Sequence, residues 1–246
     1  MVKYDMPVEI IPNIYWIGNY SSDPFLHPNP FILNLEGESI VFDPGGVNDF
    51  SVVTQKILNL TELENIKYIL LSHQDPDICG MTHFLEEMLP GPVSILTHSN
   101  NEHFIRHYGI TSPVTYIRDN NYQLKLPKSG LEIEFIHTPF LHSPGSFMTY
   151  IRDYKILFSS DLFGWIGNEK WELFDNDIDK QGYIDWHMNI VPHKRILKPV
   201  LEKLRTLDIE ILAPQHGSIL RGKDIIAALF TKLEKINYAL KDFLGD

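Results

Sequence analysis

Residues 70–80 read LLSHQDPDICG, and this stretch decides the fold. It closes IKYILLS at 66–72, a short apolar run of the kind that forms a buried strand. The run ends in His73, and carboxylates follow at alternate positions, Asp75 and Asp77. Residue 78, where a further polar group would extend the pattern, is isoleucine. Then GMTHFLEEML at 80–89 takes helical spacing and is stopped by Pro90 and Gly91.

Outward from this stretch the same alternation recurs. Residues 8–43 read as strands and turns, and further strands are predicted at 93–97, 131–137, 155–159 and 209–213. Helices are predicted over 51–60, near 100–108, and over 193–205 and 223–243. Mixed strands and helices of this kind imply an α/β class, sheets covered by helices, in one domain over 1–246. Residues 164–187 are aromatic, acidic and weakly periodic; they read as an inserted loop or short helices over a site, or as a plain surface excursion.

Four other strand-like runs also end in polar residues that strands do not need. ESIVF leads to Asp43, LEIEFIHTPF to His142, KILFSS to Asp161 and IEILAPQ to His216. Parallel-type sheets place functional groups in the loops leaving their strands, so these residues can converge. Taken singly, each has a plainer reading. A strand-end histidine is more often structural, Asp77 could cap the following helix, and Asp43 in DPGG could be a turn residue. Together they offer three imidazoles and three or four carboxylates, the ligand stock of a two-metal site. Burying Asp75, Asp77 and Asp161 together without cations is costly, because like charges repel strongly in a low dielectric.

Composition narrows the function. The 246 residues carry 21 basic and 32 acidic side chains, a net charge of -11, without any Lys/Arg run. That argues against nucleic acid and against anionic membrane as partners. The single cysteine, Cys79, excludes an intrachain disulfide and a thiolate-rich zinc or iron–sulfur site. The N-terminus lacks a signal-peptide core, and no apolar stretch reaches the roughly 20 residues of a membrane span. A cytoplasmic protein is expected.

The order His-x-Asp-x-Asp, a later histidine, a lone aspartate after a strand and a final Pro-Gln-His-Gly resembles the metallo-β-lactamase superfamily. Hydrolytic members usually carry a histidine where this chain has Asp75. A carboxylate there resembles the branch of flavodiiron cores and oxygen-binding di-iron proteins. FLHSPGSF at 140–147, LFSSDLFG at 157–164 and APQHGSIL at 213–220 fit the same branch. The resemblance implies an αββα four-layer sandwich. It implies one iron held by His73, Asp75, His142 and a bridging Asp161, and a second held by Asp77, Asp161 and His216, with an oxygen bridge between the ions. Zinc or manganese can substitute in such nitrogen and carboxylate sites.

Two departures stand out. Family members often have a metal-binding histidine where this chain has Ile78, which cannot coordinate. His27 and His187 are the candidates to fill that gap, as extra ligands or supports, while Asp43 is expected to orient the 73–77 loop. Second, flavodiiron proteins continue into a flavodoxin domain that holds FMN. The sequence here has no such segment, so a separate electron donor or signalling partner is expected, with a homodimer by resemblance.

The resemblance therefore implies binding of O₂, and of NO, for sensing or scavenging, with reduction if electrons are supplied. The rival is a binuclear zinc hydrolase of esters, thioesters or phosphodiesters, in which a metal-bound hydroxide attacks. Asp75 and the lack of a basic phosphate clamp count against it. A third reading is a non-enzymatic module that signals to another chain. No catalytic residue is expected beyond the metal ligands. His83, His98, His103, His107 and His193 read as surface or capping groups, Cys79 as packing under the loop, and Trp165, Trp171 and Trp186 as pocket walls or ordinary lid packing.

Overall fold

β-Branched and aromatic runs bounded by Gly, Pro and Asn build the strands seen in the structure, a computed structural model that describes residues 3–20, 25–119, 121–238 and 240. The chain forms two compact units, Met1–Asp23 with Pro28–Ile133, and Pro24–His27 with Glu134–Asp246.

In the first unit, β1 (Val8–Ile11), β2 (Ile14–Trp16), β3 (Phe31–Leu33) and β4 (Ser39–Phe42) form an antiparallel meander. From β4 the sheet turns parallel through β5 (Ile66–Leu70), β6 (Ser94–Thr97) and β7 (Val114–Tyr116). Parallel neighbours need crossovers, and helices supply them. These are α1 (Phe50–Leu58), the short α2 (Pro76–Cys79) with α3 (Thr82–Met88), and α4 (Ser99–Ile105). Val41, Ile69 and Ile95 from the sheet pack with Val53, Ile57, Ile78, Met81 and Leu85 from the helices in one apolar cluster. At roughly 2 kcal/mol per fully buried aliphatic side chain, that cluster drives the unit's folding.

The second unit has its own sheet. β9 (Glu132–His137), β10 (Phe147–Ile151), β11 (Ile156–Phe158), β12 (Ile211–Ala213) and β13 (Leu220–Arg221) lie in the order β13–β12–β11–β10–β9. β11 and β12 run parallel, paired Phe158 to Ala213. α5 (Gln181–Ile190), α6 (Lys194–Leu204) and α7 (Lys223–Glu234) complete the unit. β8 (Gln123–Lys125) precedes it in the chain.

The elements differ from expectation in three ways. Short strands at β7, β8 and β10 were not legible, because each is only three to five residues long with weak alternation. The helix expected over 80–89 starts at Thr82, and Asp77 lies in the separate α2 before it. Asp77 therefore does not cap α3, whose N-cap is Met81. The closing helix ends at Glu234, not 243; residues 239 and 241–246 lie outside the described residues. Among the described residues no helix is long and apolar enough to cross a membrane.

Candidate metal-binding residues

In the first unit, two adjacent parallel strands, β4 and β5, end beside one another. Asp43 follows β4 and takes a left-handed φ of 44°, which is strained for a residue with a side chain. The turn aims its carboxylate at the next strand's exit: Oδ1 accepts from the Ser72 amide at 2.7 Å. That charge-assisted bond fixes the backbone immediately before His73. Cys79 Sγ donates to the His73 carbonyl at 3.3 Å, and Tyr108 Oη donates to the Gln74 carbonyl at 2.9 Å. Burial and neighbouring carboxylates push the Cys79 thiol well above its ordinary pKa, so it packs as an inert group.

The loop these contacts hold presents His73, which is fully buried, and Asp75, which is one-third exposed. His73 Nε2 stands 3.8 Å from Asp75 Oδ2, and Gln74 Nε2 donates to Asp75 Oδ1 at 3.0 Å. Asp75 is the N-cap of α2, and its side chain makes no capping bond. Asp77 sits in the first turn of α2, half-buried. Ile78 is fully buried in the apolar cluster of this unit.

In the second unit the β11–β12 register does the positioning. Asp161 and His216 lie three residues beyond the paired Phe158 and Ala213, so the two side chains leave neighbouring strand ends at the same level. Backbone bonds from Ser159 to Ala213 and from Gln215 to Ser160 carry the pairing past the strands. The two oxygens of Asp161 face different imidazoles. Oδ1 is 3.5 Å from His216 Nε2, and Oδ2 is 3.7 Å from His142 Nε2. Both separations are long for a hydrogen bond. They suit donor atoms shared by one ion, since two ligands each about 2.1 Å from a metal stand roughly 3–4 Å apart.

The supports of these ligands are mostly backbone. His216 Nδ1 lies 3.0 Å from the Leu26 carbonyl, which holds the proton on Nδ1 and turns the Nε2 lone pair toward Asp161. Trp186 Nε1 donates to the Asp161 carbonyl at 2.8 Å, and its ring meets His216 edge-on at 5.3 Å. Gly164 and Gly217 allow the loops to touch: a Cβ on Gly164 would stand 2.5 Å from the His216 carbonyl, and one on Gly217 would stand 2.5 Å from the Trp165 ring. Phe140 (φ 62°), His142 (φ 88°), Ser160 (φ 54°) and Phe163 (φ 67°) are all left-handed. Strain of about 1–3 kcal/mol at each such residue is usual where a site dictates the backbone.

His187 makes no open ligand. Its Nδ1 donates to the Tyr183 carbonyl at 2.7 Å, and its Nε2 accepts from the Phe163 amide at 2.9 Å. Burial depresses its pKa to about 4, against the opposing pull of the Tyr183 carbonyl and Asp161, so the ring is neutral. It steadies the backbone two residues beyond Asp161. His27 stacks on Trp171 at 4.9 Å. The 164–187 segment is a loop followed by α5, tied down by Trp165 Nε1 to Ser218 and Trp171 Nε1 to the Gly217 carbonyl. His98 and His193 cap α4 and α6.

The candidate donors are His73, Asp75 and Asp77 on one unit and His142, Asp161 and His216 on the other, imidazole nitrogen and carboxylate oxygen throughout. That chemistry fits iron, manganese or zinc. Sequence reading missed the Leu26 carbonyl and the bond from Trp186 to the Asp161 backbone. A carbonyl acceptor leaves no trace in residue type, so no signal for Leu26 existed.

Residues 26–217 match the family model described as ODP family beta lactamase. The chain belongs to that family. The chemotaxis sensor ODP from T. denticola, solved in its apo state, is 25% identical with a TM-score of 0.82, each chain covering 96% of the other. A structure described as a peroxy diiron species of chemotaxis sensor ODP is 23% identical with a TM-score of 0.81, covering 96% of this chain and 97% of that one. These scores establish a metallo-β-lactamase-like fold for this ODP-family chain. Among curated proteins, an uncharacterized protein of Methanocaldococcus jannaschii, MJ0732, is 27% identical over 87% of this chain and 57% of its own. The anaerobic nitric oxide reductase flavorubredoxin of Aeromonas hydrophila is 23% identical over 88% of this chain and 47% of its own. The chain thus spans about half the length of these curated relatives.

Proposed function

We propose that this chain is a non-haem di-iron protein that binds O₂, with NO as a second diatomic ligand. The observation that carries the reading is Asp161, whose two carboxylate oxygens each face a different histidine Nε2, as a bridging ligand requires. The peroxy diiron form of the ODP sensor and the nitric oxide reductase activity named for the flavorubredoxins support it. In this reading His73, Asp75, His142 and Asp161 hold one iron, and Asp77, Asp161 and His216 hold the other, within one domain. Bound iron would supply electrons to the diatomic gas.

The chain's own residues set the geometry. Leu26 keeps His216 in the tautomer that offers Nε2, Trp186 and His187 hold the Asp161–Phe163 backbone, and Asp43 holds the loop that bears His73. Sustained reduction needs an electron donor; without one the chain senses or stores the gas. The acidic balance and single cysteine support a cytoplasmic setting.

Anaerobic iron loading with elemental analysis tests this. Two irons per chain and a visible ligand-to-metal band on mixing with O₂, absent in a zinc-loaded control, are expected. Failure to take up iron, or an iron-loaded protein spectrally silent to both O₂ and NO, overturns it.

A further inference from the structure

In the second unit, a pocket of about 220 Å³ opens between α6 and α7. Its floor is apolar. Leu204 from α6, Ile209 from the segment that follows, and Ile226 and Phe230 from α7 line it, none more than 5% exposed. Phe230 is backed by Phe163 at a ring separation of 4.7 Å, so the floor is held from behind and does not rise to fill the space. An apolar guest there gains dispersion contacts that water leaves unmade. None of the lining residues is a candidate metal ligand.

Two cations stand at the rim, and the chain treats them differently. Lys223 pairs with Asp208 and Glu210, and Lys155 reaches the same two carboxylates at 3.0 Å and 2.8 Å. Those four charges cancel. Among the described residues Arg205 has one ion pair, Nη2 to Glu234 Oε2 at 2.9 Å, and both side chains are about one-third exposed. A guanidinium carries five N–H donors in a planar fork, so most of that fork has no carboxylate on it. An ion pair this exposed is worth little and exchanges readily.

We propose that this pocket binds a small monocarboxylate with an apolar body, its carboxylate on Arg205 and its body on Leu204, Ile209, Ile226 and Phe230. Guanidinium and carboxylate match as a planar two-bond pair, a match that a hydroxyl or an amine does not offer. The volume, roughly that of seven water molecules in the liquid, limits the guest to one ring or a short chain. Glu234 is the chain's own competitor, a like charge on the same guanidinium that opposes the incoming carboxylate. The proposal does not depend on the metal.

Phenylacetate is the probe, added to the full chain while the methyl NMR signals of Ile209 and Ile226 are followed. Saturable shifts at both residues are expected, with a dissociation constant on the order of 0.1–1 mM. Arg205→Gln should weaken binding roughly tenfold, and 2-phenylethanol, which keeps the ring and loses the charge, should bind the wild type more weakly by a similar factor. Glu234→Gln should tighten phenylacetate binding several-fold, a gain that a damaged fold does not produce. Absence of a saturable shift up to ~10 mM overturns the proposal. So do shifts confined to other methyl groups, which place the guest elsewhere. Equal affinity for 2-phenylethanol overturns it too, since Arg205 would then read no charge.

Discussion

Oδ1 of Asp161 lies 3.5 Å from Nε2 of His216, and the bond from His216 Nδ1 to the Leu26 carbonyl leaves that nitrogen's lone pair directed at the carboxylate. Two electron-rich atoms facing one another at that spacing, both nearly sealed from water, repel unless a proton or a cation lies between them.

Replacing Asp161 by alanine therefore tests the centre as a whole. Asp161→Ala is expected to lose both metals, because in the proposed reading one carboxylate serves both. Elemental analysis after anaerobic loading and desalting reads it; full metal content in the variant would remove the bridging assignment.

Gly217 tests the packing behind His216. Its φ of +81° disfavours any side chain, and an added methyl would stand 2.5 Å from the Trp165 ring. Gly217→Ala should cost about 2–3 kcal/mol and lower the melting temperature by roughly 4–12 °C for a chain of this size. An unchanged thermal transition of the metal-free protein would show that the indole moves freely.

His187 makes the metal-free protein acid-sensitive. Its folded pKa of about 4 lies below the ordinary 6.5, so the unfolded chain takes up the proton first. Stability is full above about pH 6.5 and is lost as the pH falls toward 4, by on the order of 3 kcal/mol. Urea midpoints of wild type and His187→Gln, compared across that window, isolate the effect: the glutamine variant should show the shallower fall. Parallel curves would contradict it.

Ile78 stands where the family resemblance led to the expectation of a metal-binding histidine, and its side chain packs in the apolar cluster of the first unit. Ile78→His exchanges that packing for a ring that needs hydrogen-bond partners. It should destabilise the metal-free protein by about 1–3 kcal/mol. Chemical denaturation reads it; an unchanged midpoint would mean that the position opens toward solvent or the metal-binding loop.

Much of this architecture was legible along the chain. The predicted strands at 66–72, 155–159 and 209–213 appear as β5, β11 and β12, and Asp43, His73, Asp161 and His216 sit just past strand ends as their motifs implied. Runs of β-branched residues closed by a polar one carry that information in residue type alone. The plainer alternative for Asp77, a cap on the following helix, fails because a cap depends on where the helix begins, and a turn at Gly80, where an added Cβ would stand 2.5 Å from the Pro76 carbonyl, separates α2 from α3.

What the sequence determined by itself was the chemistry of the candidate ligands: imidazoles and carboxylates, without thiolates, delivered at the ends of buried strands. Tertiary structure decided their mutual placement. The pairing of Phe158 with Ala213 sets Asp161 beside His216, and the carbonyls of Leu26 and Tyr183 settle which nitrogen His216 and the supporting His187 present. Register and backbone acceptors depend on how strands and loops meet in space. A carbonyl looks the same on every residue, so only the folded chain can assign it a partner.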